Sequence, residues 1–198
     1  LESHGHHVIN GSRAVELEVS KVAQMIACRQ VGLQCPYTEM SVGSYSEIIR
    51  RWRQIRGPNA PLVIKPNCGG SGNHVRVFPT ADALEEARQK DDWIDDISVD
   101  GITLVQQMVE APFIHRLEFV GHTFLYAVKI RAQGESFNRC PCEQQLEKED
   151  PSSTCTLPPK FEILFDFPQT KSEWMLVQAL LRMLRYNHVY IAGIEVIQ

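Results

Sequence analysis

No run of about 18 apolar residues occurs in this chain, so no helix is expected to cross a membrane. Charge of one sign does not dominate either. A net charge of −4 over 198 residues gives no general attraction to nucleic acid or to an anionic membrane. No Gly-Lys-Ser/Thr closes a glycine loop, which excludes a P-loop, and neither His-Glu-x-x-His nor a Ser-His-Asp order stands out. Cysteine is sparse, with six residues at 28, 35, 68, 140, 142 and 155. Cys28 falls in a helical pattern and Cys68 in a glycine loop. Both read as free thiols of a reducing, cytoplasmic compartment rather than parts of a disulfide framework. What is present is a 43% hydrophobic fraction, enough for a core without staples.

Apolar spacing predicts a helix over 16–31, with Val19, Val22, Ala23 and Ile26 as its buried stripe, Lys21 on the polar side and Gly32 as its stop. A second helix is predicted over 44–56, ended by Gly57-Pro58. Its Arg50, Arg51, Arg53 and Arg56 read as a solvated face, with an anion or RNA contact as the alternative. Strands are expected at 62–66 and 74–78, then a helix over 81–90 capped by Thr80. Residues 102–108 and 115–131 are rich in β-branched and aromatic residues, with a turn at Gly121-His122. Residues 133–160 read as an irregular loop, followed by a helix capped by Ser172 and a strand over 189–197. The mixture fits α+β lobes with mostly antiparallel sheet.

The most informative stretch is 62–78. A strand, Leu62-Val63-Ile64, delivers Lys65 to a turn that holds Gly69, Gly70, Ser71 and Gly72, and a second strand leads away. Glycine lets backbone approach a ligand closely and frees N–H groups to cradle an anion. The lysine adds a full positive charge, so the pair points to nucleotide phosphate. Because a strand and not a helix follows, the loop reads as a hairpin flap over phosphates and not as a dinucleotide fingerprint.

Other candidates are thinner. Glu195 sits in an apolar strand and needs a cation partner, either a basic side chain or a metal. Lys129 and Arg131 alternate on one strand and share a face, as a shared anion would require or as a solvent-facing edge would allow. Arg116 and Glu118 share a face and are able to pair with each other. Cys140, Cys142 and Cys155 offer three thiolates to zinc, with His188 or a loop histidine as the fourth ligand, but only one close-spaced ligand set is present. His4, His6 and His7 read as part of a frayed terminus.

Taken in order, these segments resemble the ATP-grasp superfamily, nearest to the carboxylate–amine ligases around glutathione synthetase and the ribosomal-protein glutamate ligase. The resemblance runs from Val8 to the end and rests on Val8-Ile9-Asn10-Gly11, Val63-Ile64-Lys65-Pro66, the Gly69–Gly72 loop, Leu104-Val105-Gln106-Gln107-Met108-Val109, Ile114-His115-Arg116, Ala127–Arg131 and Ala192-Gly193-Ile194-Glu195. It implies an α+β ATP-grasp fold with ATP and Mg2+ between two lobes. The opening segment would be 1–43, the flap lobe 44–106 and the C-terminal lobe 107–198. Lys21, Lys65 and the Gly69, Gly70, Ser71, Gly72 flap would hold the phosphates. Gln107 would accept the adenine amino group beside backbone contacts from Met108 and Val109. Glu195 would be a magnesium carboxylate, and Arg131, Arg116 and Lys129 would orient the reacting groups. The implied reaction joins a small-molecule or peptide carboxylate to an amine through an acyl phosphate, with no nucleic-acid or membrane partner. Ile114 replaces the acid usual in that strand. The resemblance also implies an N-terminal substrate domain and a further strand bearing an acid and an asparagine, so the chain is expected to be a fragment, incomplete at both ends and inactive alone. The alternative is a degenerate nucleotide-binding or interaction domain on the same fold.

Overall fold

The computed structural model describes residues 1–42, 45–70, 72–90, 98–131 and 161–197. Two four-stranded antiparallel sheets organise them. The first contains β1 (Thr38–Val42), β2 (Leu62–Pro66), β3 (Arg76–Phe78) and β4 (Ile102–Gln107) in the order β1-β4-β2-β3. The second contains β5 (Phe113–Val120), β6 (Thr123–Arg131), β7 (Phe161–Leu164) and β8 (Ile191–Val196) in the order β7-β6-β5-β8. β1 lies within the segment 1–43, yet it pairs with β4 from Thr38↔Gln106 to Val42↔Ile102 and so belongs to the first sheet.

Helix α3 (Tyr45–Arg56) forms because Tyr45, Ile48, Ile49 and Trp52 recur at i, i+3, i+4 and i+7. They pack with Ala81 and Leu84 of α4 (Ala81–Lys90) onto Leu62, Ile64, Phe78 and Val105 of the first sheet. The arginines of α3 are taken up locally: Arg50 by Glu47, Arg51 by Glu39, and Arg53 by Asp82 and Glu85. Arg56 lies over the Tyr37 ring.

The helix expected over 16–31 is two helices, α1 (Ser12–Val19) and α2 (Lys21–Gln30). Ser20 between them is extended (φ −122°, ψ 112°), and its hydroxyl accepts from the Ala23 N–H as an N-cap. The break rephases the chain: Ala14 and Ala27 are buried while Val19 and Ile26 are half exposed, so the expected stripe is not the buried one. The last helix, α5 (Lys171–Tyr186), is capped by Thr170 in a capping box with Glu173, not by Ser172. Val177, Leu180, Met183 and Leu184 of α5 join Ala14 and Ala27 against Leu117, Phe119 and Ala127 of the second sheet. The Gly121-His122 turn is found, both residues having positive φ. The three cysteines at 140, 142 and 155 and the whole of the loop over 133–160 lie outside the described residues.

Candidate functional site

Strand pairing decides which side chains meet. Val63 and Gln106 are register partners in β2 and β4, so Lys65, two residues on, shares the face of Gln106. Lys65 Nζ donates to Gln106 Oε1 at 2.5 Å. This face is opposite the α3–α4 core and is met by α2, whose Met25 sulfur accepts weakly from Gln106 Nε2 (3.7 Å). Burial, with the nearby Lys21 charge adding to it, lowers the Lys65 pKa from 10.5 to about 8. Among the described residues no carboxylate is bonded to this half-buried ammonium, which rests on an amide.

Lys21 comes to the same region from the N-terminus of α2. Its Nζ donates to Gly69 O (2.9 Å) and Asn67 O (3.3 Å), and burial lowers its pKa as well. The loop thus turns carbonyls toward Lys21. An anion placed here would compete for that ammonium. Gly69 and Gly72 have φ of +132° and +74°, which favours glycine at both. Ser71 lies outside the described residues.

The root of the loop is fixed by Asn67, almost fully buried. Its Oδ1 accepts from Ser20 Oγ (3.1 Å) and Val22 N (2.9 Å), and its Nδ2 donates to Asp100 Oδ2 (2.6 Å). Asp100 also accepts from Ser98 Oγ (2.5 Å), the Ile102 N–H (3.1 Å) and Cys68 Sγ (3.3 Å). These donors outweigh the desolvation of Asp100 and hold its pKa down at about 2. Sequence reasoning missed Asn67, Asp100 and Gln106. The available signal was an asparagine directly after Lys65-Pro66 and the alternation of β4.

Gln107 requires a correction. Its register partner is Leu62, whose side chain is fully buried in the α3–α4 core, so Gln107 projects to the opposite face from Lys65. Gln106 is the side-chain acceptor beside Lys65. The Gln107 N–H donates to Tyr37 O (2.8 Å) and the Met108 N–H to Pro61 O (3.5 Å), so at Met108 the carbonyl is the backbone group left for a ligand. Val109 follows them out of the strand.

The second sheet also separates residues expected to act together. Arg116 pairs with Glu195 on β8 and with Val128 on β6, and all three share one face. Arg116 Nε donates to Glu118 Oε1 at 2.6 Å, and its Nη1 lies 3.9 Å from Glu195 Oε1. A Cβ on Gly193 would fall 2.2 Å from Arg116 Nη2, so glycine there lets the guanidinium lie across the strand. Lys129 and Arg131 pair with His115 and Phe113 and point to the other face, the one that carries Leu117 and the helices. Lys129 Nζ stands 4.0 Å and Arg131 Cζ 5.4 Å from the Phe113 ring centroid. On the face of Arg116, β6 presents Val128 and Ile130. Arg116 therefore does not meet Lys129 and Arg131 at one site.

Glu195 is exposed at the level of the residue, and Arg116 stands beside it as a basic partner. Among the described residues no group of three metal-ligating side chains occurs. Glu195 and Glu118 are both engaged by Arg116, so these residues alone do not fit the oxygen-rich octahedral shell of magnesium.

Two four-stranded antiparallel sheets, each packed against helices, make an α+β architecture, and comparison with solved structures identifies its fold. The ATP-grasp ligase PsnB complexed with minimal precursor is 18% identical, with a TM-score of 0.61 over 98% of this chain and 52% of that one. D-cycloserine synthetase DcsG is 14% identical, with a TM-score of 0.69 over 99% of this chain and 63% of that one. D-alanine–D-alanine ligase from Bacillus anthracis complexed with ATP is 14% identical, with a TM-score of 0.64 over 98% and 56%. The chain has the ATP-grasp fold. It spans about half to three-fifths of the length of these structures. No protein-family profile matches it, and no curated protein matches its sequence. Among the described residues no helix is long and apolar enough to cross a membrane.

Proposed function

We propose that the chain binds ATP between its two sheets and is the nucleotide-holding part of an ATP-dependent carboxylate–amine ligase. The observation that carries this reading is the convergence of half-buried Lys65, beside Gln106, with Lys21, which bonds the loop backbone at Asn67 and Gly69. Phosphate oxygens would supply the anion that these two ammonium groups lack, and Lys65, held near pKa 8, gains its full charge when they arrive. Gln106 Oε1 would accept from the adenine amino group, with backbone contacts from Met108 and Val109. In the ligase reaction a substrate carboxylate oxygen attacks the γ-phosphorus and ADP leaves. The amine then attacks the acyl carbon of the acyl phosphate and inorganic phosphate leaves, giving the amide. The protein's share is charge neutralisation and alignment. Arg116 would orient the acyl phosphate from the second sheet. A magnesium site would need oxygen ligands beyond Glu195 and Glu118. The fold likeness to ligases whose structures hold a precursor or ATP supports the substrate classes, a small-molecule or peptide carboxylate and an amine.

A second reading, nucleotide binding without turnover, draws support from β6. Where a basic residue is expected to face the transferring phosphoryl, Val128 and Ile130 stand, and Arg116 is already partnered by two glutamates. Calorimetry with ATP tests the shared part: Lys65→Ala is expected to abolish binding, and unchanged affinity rejects the site. ADP release from the full-length protein, screened against candidate amino acids, separates the two readings.

A further inference from the structure

The amide of Gln106 is held in one orientation from both ends. Lys65 Nζ carries only donors, so the atom that meets it is the amide oxygen. At the other end Gln106 Nε2 donates to Thr38 Oγ1 at 2.8 Å, and the Thr38 hydroxyl proton goes to Pro36 O at 2.9 Å, a group that only accepts. The chain of donors therefore runs one way from Gln106 through Thr38 to Pro36. Thr38 and Gln106 are direct register partners across β1 and β4, which fixes their separation. A ligand phosphate would draw the Lys65 ammonium away from the amide, and Thr38 then remains as the strong anchor, with the Met25 sulfur at 3.7 Å a weak one.

We propose that Thr38 is a positioning residue that sets base selectivity: it keeps the Gln106 carbonyl turned to the base, so the site takes a 6-amino purine and rejects a 6-oxo purine. This deepens, and rests on, the reading of the site as one for a nucleotide. An amino group donates to the fixed carbonyl. A 6-oxo group brings a second acceptor against it and is rejected unless the amide turns over. Thr38→Val keeps the shape but removes the hydroxyl acceptor, which frees the amide to present its N–H groups.

The test is calorimetric titration of the full chain with ATP and with GTP, alongside Thr38→Val and Thr38→Ser. The unsubstituted chain is expected to prefer ATP. Thr38→Val is expected to reduce the ATP:GTP affinity ratio about tenfold, the worth of one hydrogen bond, while Thr38→Ser keeps it. A Thr38→Val ratio equal to that of the unsubstituted chain overturns the inference, including the case in which both affinities fall equally from a merely structural effect. So does a Thr38→Ser variant that loses the ratio, or an unsubstituted chain that binds GTP as well as ATP. If the unsubstituted chain binds neither nucleotide, the nucleotide site itself is rejected and this inference with it. If Thr38→Val does not fold, Gln106→Glu carries the test. A carboxylate accepts in either orientation, so the ratio should equal or exceed that of the unsubstituted chain, and a lower ratio overturns the inference.

Discussion

The two sheets handle their basic residues in opposite ways. In the first, Lys65 is brought to one face by β2, and Lys21, from the start of α2, reaches the loop that follows it, although 44 positions separate them in the chain. Among the described residues neither has a carboxylate in hydrogen-bonding contact: Lys65 rests on an amide and Lys21 on two carbonyls. In the second, three basic residues stand on the adjacent strands β5 and β6, yet pairing sends Arg116 to one face and Lys129 and Arg131 to the other, and Arg116 is partnered by Glu118 and Glu195. Unsatisfied cations that converge are the mark of a site awaiting an anion. Cations that diverge, or are already paired, are the mark of a surface or of a site that has lost its task.

The largest effect should come from removing the charge at Lys65 while keeping its stem. Lys65→Met is expected to lower ATP affinity at least about 100-fold while raising the stability of the free chain, because the buried ammonium no longer has to be desolvated. A pKa drop from 10.5 to about 8 corresponds to roughly 3 kcal/mol, an upper bound on the gain that denaturant melts would read. A variant that loses stability would place Lys65 in a structural role instead.

Next comes the contrast within the second sheet. If the face of Arg116 acts in turnover, Arg116→Ala in the full-length protein should cut ADP release by about tenfold or more, whereas Arg131→Ala should leave it within about twofold. Equal losses would remove the distinction between the faces.

A smaller effect follows from pH. The folded pKa of Lys65 lies below its unfolded value, so between about 8 and 10.5 the unfolded chain holds more protons, and this residue's contribution makes stability rise with pH across that window. Below pH 8 both states are charged and the penalty is complete. The difference in melting free energy between the unsubstituted chain and Lys65→Met should shrink as pH climbs from 8 to 10.5. ATP affinity should decline over the lower part of the same range, as the free site loses its charge. Smallest is Asp100. Its folded pKa near 2 lies below the usual 3.8, so its contribution is present above about 3.8 and is lost as pH falls toward 2. Because Asp100 is exposed, Asp100→Asn should shift acid unfolding by less than about 1 kcal/mol.

Local patterns made much of the fold legible. The apolar recurrence of α3, the strand before Lys65, the glycine turn at 121 and the final strand all match the structure closely. The pieces that escaped depend on partners distant in sequence. Ser20 breaks the first helix while accepting from Ala23, but it is held there by Asn67, 47 residues on. Gln106 and Gln107 are chemically identical neighbours, and only the register with β2 tells which faces Lys65. Alternation correctly put Lys129 and Arg131 on one face, but whether that face is shared with Arg116 depends on the pairing of β5 with β6.

Asn67 has a mechanical consequence. It belongs to the loop of the first sheet and is tied there to Asp100, yet its amide oxygen is bonded to Ser20 and Val22 at the head of α2, a helix whose Ala27 is embedded in the core of the second sheet. A rotation of one lobe against the other that keeps these bonds has its axis near Asn67. Atoms close to that pin, the ammonium of Lys21 among them, would sweep short arcs, and those far from it, such as α3 on the opposite face of the first sheet, longer ones.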